Sequence, residues 1–175
     1  MLKQFRKFFN IDNLQQKLEE YSNLEKQLFE QLKKAKELGE QNQITLARFN
    51  SQLTTLENKF EKSTDSQEKE GFLYLKNRIK ERYNNYFSNY LDEIFKLKNK
   101  IDIIKKSINS IIEKNPELLD FEKEEFIKSI IVLTEAFKKE QLPKGIVFED
   151  IQKSIFDKII EKGWDLDLIY KFNNF

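Results

Sequence analysis

With no histidine and no cysteine, the side chains able to do chemistry in this 175-residue chain are carboxylates, lysines, arginines, phenols and hydroxyls. That removes the usual neutral-pH base, the commonest zinc ligand and all thiolate or disulfide chemistry. Carboxylate pairs such as Glu19 with Glu20 and Glu124 with Glu125 remain. A di-metal site in a helical bundle, however, draws on Glu-x-x-His pairs, which cannot form here. There is no glycine loop to cradle a phosphate and no nucleophile elbow. The expectation is a protein that is not an enzyme and takes no metal or other cofactor.

One stretch does combine residue types that bind ligands. "YNNYFSNYL" (83–91) sets three tyrosines and a phenylalanine upstream of Lys96, Lys98, Lys100, Lys105 and Lys106, and over 72–114 ten Lys and Arg stand against five Asp and Glu. Rings beside lysines can stack bases and track a phosphate backbone. They can equally be the core and the solvated flank of a coiled coil. The net charge of +1 gives the chain as a whole no pull toward nucleic acid or anionic lipid.

Spacing favours the coiled coil. With 35% charged residues but only four glycines and two prolines, long helices are the natural expectation. From Leu14 a stripe alternates steps of four and three through Leu18, Tyr21, Glu25, Leu28, Leu32, Ala35, Gly39, Asn42, Leu46, Phe49, Leu53, Leu56 and Phe60. That heptad pattern predicts a first helix about 70 Å long. In "EKSTDSQEKEGF", Thr64 and Asp65 are N-cap candidates with Glu68 placed for a capping box, which predicts a turn near 63–70, while Gly71 would mark a longer loop. A second stripe follows: Phe72, Leu75, Ile79, Tyr83, Tyr86, Tyr90, Ile94, Leu97, Ile101, Ile104, Ile108 and Ile111. Two helices joined by so short a link lie antiparallel. Residues facing one another then have numbers adding to about 132, which sets Tyr90 opposite Asn42 as a hydrogen-bond partner. It also sets the small positions Ala35 and Gly39 against the bulky Leu97 and Ile94. The tyrosines therefore read as packing.

Some apolar surface is left over. Phe87, Leu91 and Phe95 form a second i, i+4, i+8 row beside the seam, a candidate protein interface. Asn115 and Pro116 predict the N-cap and first turn of a third helix whose face is Leu119, Phe126, Ile127, Ile130, Ile131, Leu133 and Phe137, ending before Pro143. Folded back along the second helix it would cover the base of the hairpin up to around residue 95. After Gly145, the residues Ile151, Ile155, Ile159 and Ile160 predict a helical face closed by Gly163, followed by a turn carrying Trp164, a core or interface residue. The order helix, glycine, helix resembles a helix-turn-helix, but Asp165 and Asp167 would repel phosphate. At the other end, "MLKQFRKFFNI" groups Leu2, Phe5, Phe8 and Phe9 with three basic residues. It reads as a docking segment, with a membrane-surface segment as the alternative.

The expected fold is all-α: a long antiparallel coiled-coil hairpin with a third helix packing at its base and a small C-terminal helical unit. Its divisions are an amphipathic segment over 1–12, the hairpin over 13–114, the third helix over 115–141 and the C-terminal module over 145–175. In layout alone this is similar to coiled-coil assembly proteins of phages and to hairpin-armed chaperones such as prefoldin. The expected role is assembly, scaffolding or tethering through a protein partner or a second copy. Alternatives are a helical inhibitor or adaptor that blocks another macromolecule, and a nucleic-acid accessory using the second helix. The excess of Lys over Arg suggests an AT-rich genome such as that of a phage or other mobile element. No apolar run approaches the roughly 18 residues of a membrane span, and no signal peptide is visible. A cytoplasmic protein, or one incorporated into a virion, is expected.

Overall fold

A computed structural model describes residues 2–139, 144–145, 147–165 and 167–168, with side chains from Ile11 onward except that of Phe148. Four helices account for nearly all of it: α1 (Leu2–Lys62), α2 (Ser66–Lys114), α3 (Leu118–Lys138) and α4 (Phe148–Glu161). No strand occurs among the described residues. The chain divides into two compact units, Glu19–Lys114 and Met1–Leu18 with Asn115–Phe175.

The first unit is the antiparallel hairpin of α1 and α2. Phe49 meets Tyr83 edge to face at 5.6 Å between ring centroids and Tyr86 at 6.1 Å, and eight residues nearer the turn on α1 Glu57 pairs with Lys76 at 2.7 Å. These pairs fix the register that the two stripes and the turn position predict. Most stripe residues face inward, with two exchanges. Leu32 and Leu75 are exposed, and the half-buried Gln31 and Lys76 take the neighbouring inward positions; Phe60, at the turn end of the first stripe, is exposed as well. Lys76 can do so because its stem lies along apolar surface while its ammonium reaches Glu57. That contact holds the Glu57 carboxyl below its ordinary range, through the hydrogen bond to Lys76 first and its charge second. A lowered carboxylate pKa contributes stability above the unfolded value that is lost as pH falls through the folded one. Glu57→Gln is therefore expected to flatten the acid limb of a thermal-melt series below about pH 4.5.

The turn is shorter than the sequence suggests. Only Ser63, Thr64 and Asp65 separate the helices, and Gly71 lies within α2. Asp65 caps α2, its Oδ1 accepting from the Gln67 N–H at 2.8 Å. Glu68 stands where a capping box requires, but the box is relayed. The Asp65 N–H donates to Ser63 Oγ at 3.3 Å, and the Ser63 hydroxyl donates to Glu68 Oε2 at 2.6 Å.

Two seam details differ from expectation. Asn42 is buried at 8% exposure, yet its Oδ1 has no hydrogen-bond partner among the described residues. Tyr90 instead stacks along its own helix on Phe87, with centroids 6.2 Å apart. Leaving an acceptor dry costs about 1–3 kcal/mol, so Asn42→Leu should raise the urea midpoint of the hairpin by an equivalent of about 1–2 kcal/mol. Gly39 is not needed to admit a bulky neighbour either, since a Cβ there would meet nothing within 4 Å. Gly39→Ala should stabilise by about 1 kcal/mol from helix propensity alone, measured in the same titration.

In the second unit α3 and α4 run antiparallel, as the facing pairs Glu122–Lys162 and Phe126–Lys158 show. Leu118, Phe121, Ile130, Ile159 and Leu168 form its buried core. The predicted start and face of the third helix both shift. Asn115 to Glu117 form a turn, with the Leu118 N–H donating to the Asn115 carbonyl at 2.9 Å, and Pro116 lies in this turn instead of the first helical position. Entering at Leu118, the helix turns Leu118, Phe121, Glu122, Phe126 and Ile130 inward, and Leu119, Ile131, Leu133 and Phe137 are exposed. α4 ends in a Schellman motif, with Gly163 at φ 63°, its N–H on the Ile160 carbonyl and the Trp164 N–H on the Ile159 carbonyl, each at 3.0 Å. Ile151 and Ile155 are half-buried and Ile159 fully buried, but Ile160 is exposed. It sits one position past Ile159, about 100° around the helix.

Candidate protein interface

Phe87, Leu91 and Phe95 lie on one drifting row of α2, because steps of four overshoot the 3.6-residue turn. The row starts at the seam and leaves it. Phe87 is half-buried, its ring stacked on Tyr83 at 5.9 Å and 7°. Leu91 is 49% exposed and Phe95 64% exposed. Tyr83, Tyr86 and Tyr90 are half-buried with rings engaged by Phe49 or Phe87, the arrangement of a packed seam.

Lys96, Lys98, Lys100, Lys105 and Lys106 are all exposed. At 3.6 residues per turn, Lys96 and Lys100 fall on one flank of the seam, Lys98 and Lys105 on the other, and Lys106 away from both. They make no single track of the kind a phosphate backbone would follow. Flanking lysines are what a coiled coil carries beside its core.

Trp164 sits half-buried against Phe126, with ring centroids 5.1 Å apart, and the Lys158 Nζ lies over the same Phe126 ring, 5.6 Å from its centroid. Leu2, Phe5, Phe8 and Phe9 belong to the first turns of α1, and their side chains lie outside the described residues.

Two surfaces were not singled out by sequence. Between α3 and α4 an open groove of about 490 Å³ has a floor of Phe126, Ile130, Leu133, Ile151 and Ile155, with Asp150 toward one end and Lys158 toward the other. The signal for it was the width of the third helix's apolar content, more than one stripe can bury. Near the hairpin turn a cavity of about 300 Å³ is lined by Leu56, Phe60, Phe72 and Leu73. There the run "FLYL" (72–75) was the clue, since four consecutive apolar residues cannot all face a seam.

Among the described residues there is no cluster of three or more acidic side chains, histidines or cysteines able to hold a metal, and no helix long and apolar enough to cross a membrane. Fold and surface together define an all-α helical hairpin accompanied by two further helices, with apolar helix faces as its distinctive outward chemistry. The chain matches no protein-family model, no curated protein and no solved structure.

Proposed function

We propose that the chain is a non-catalytic helical interaction protein that works in assembly, scaffolding or tethering by presenting helix faces to another protein chain. The observation that supports this is the Phe87, Leu91, Phe95 row. It continues outward as large apolar side chains on a helix whose own seam is already filled. An exposed aliphatic and aromatic row beside a satisfied core is a typical anchor for a partner helix. Lysines divided between the two flanks of α2 favour this over the nucleic-acid reading.

A photo-crosslinking amino acid placed at position 95 of the full chain tests it. In an extract of the native source, illumination should give adducts with protein, either a second copy or a partner, and Leu91→Asp should abolish them. Adducts confined to nucleic acid, or none at all, would overturn the reading.

A further inference from the structure

The two unpartnered apolar surfaces complement one another in form and in charge. Resting on the interaction reading above, we infer that the α3–α4 groove of one copy receives the Leu91–Phe95 face of α2 from a second copy.

Three features support the match. The groove is open to solvent and more than half of its lining residues are apolar, a form that can take a helix bearing anchors one turn apart. Leu91 and Phe95 are such a pair, about 6 Å apart along the helix axis. The electrostatics also agree in sum: α3 and α4 carry nine Asp and Glu against five Lys, whereas residues 72–114 carry ten Lys and Arg against five Asp and Glu.

The charges agree locally as well. Asp150 and Lys158 mark the ends of the groove some 12 Å apart along α4. On α2, Asp92 and Lys98 flank the Leu91–Phe95 row about 9 Å apart. None of these four is in a salt bridge among the described residues. Laid antiparallel to α4, the incoming α2 brings Lys98 to Asp150 and Asp92 to Lys158. Opposed charges at both ends choose that direction over the reverse, where like charges would meet.

The contact is heterologous, since groove and row are different patches. Each copy therefore keeps one free groove and one free row after the first contact, and association continues into a ring or an open chain.

Sedimentation velocity on the purified chain tests the inference. The wild type should exceed dimer mass as concentration rises. Phe95→Asp, which spoils the row, and Leu133→Asp, which spoils the groove, should each be monomeric. Mixed together they should form a one-to-one dimer, because each retains the surface the other lacks. Asp150→Lys and Lys98→Glu should each weaken association about tenfold or more, and the double variant should recover most of it. Both positions are exposed, so the fold is not at stake.

A wild type that stays monomeric, a mixture that fails to pair, or association that persists in Phe95→Asp would overturn self-docking. Protein adducts at position 95 alongside a monomeric pure chain would reject the second copy as occupant and leave the interaction reading standing. Absence of any adduct would reject both.

Discussion

Lys162→Met is expected to destabilise the α3–α4 unit by about 3–5 kcal/mol, the usual cost of leaving a buried charge without its partner. The Lys162 Nζ lies 2.8 Å from Glu122 Oε1, and the two side chains are only 12% and 6% exposed. The contact is ionic without hydrogen-bond alignment at Oε1, so charge is what Glu122 would lose. The pair need not stabilise the fold in net terms, because desolvating two ions offsets much of their attraction. Glu122→Leu combined with Lys162→Met should accordingly cost less than Lys162→Met alone, because it leaves no uncompensated carboxylate in the core. The single tryptophan makes the measurement direct. Trp164 packs on Phe126 one turn from Glu122, so its fluorescence in a urea titration reports this unit while far-UV circular dichroism reports all the helices. A single variant no less stable than the double would show that the carboxylate finds water or another donor, and that the pair does not join α3 to the end of α4.

The hairpin was legible because its information is one-dimensional. Two apolar stripes with the heptad period and a polar link between them specify partner, direction and register together, and the Phe49–Tyr83 and Glu57–Lys76 contacts fall where that reasoning puts them. What the stripes could not specify is which of two adjacent residues faces inward where the period slips. Leu32 and Leu75 were the hydrophobic choices. Gln31 and Lys76 took the inward positions, because the backbone phase outweighs the transfer energy of one side chain that can remain half in water.

The α3–α4 unit was less legible for a related reason. Its third helix carries so many apolar residues between Leu118 and Phe137 that several phases fit the sequence, and the buried Glu122 cannot be told from the exposed Glu124 or the half-buried Glu125 without knowing where Lys162 comes to lie. Grooves such as that between α3 and α4 arise only when two helices are set side by side. Their lining residues, Leu133 and Ile151 among them, were visible as hydrophobes but not as neighbours.

The phase of α3 yields the second large effect, through a comparison of two adjacent leucines. Leu118 is 0% exposed and Leu119 42% exposed. Leu118→Ala removes fully buried methyl groups from a core shared with Phe121, Ile130 and Ile159, and should cost about 2–5 kcal/mol, the spread depending on how far the neighbours collapse into the cavity. Leu119→Ala removes a side chain that already stands partly in water and should stay within about 1 kcal/mol of the wild type, partly compensated by the helix propensity of alanine. Both variants have the same composition and differ by one step along the chain, so effects on the unfolded state nearly cancel between them. Equal losses in the tryptophan-monitored urea titration, or a larger loss at Leu119, would mean that α3 is rotated by about 100°. The inward face would then be the one the sequence pattern suggested, and the floor of the α3–α4 groove would be a different set of side chains.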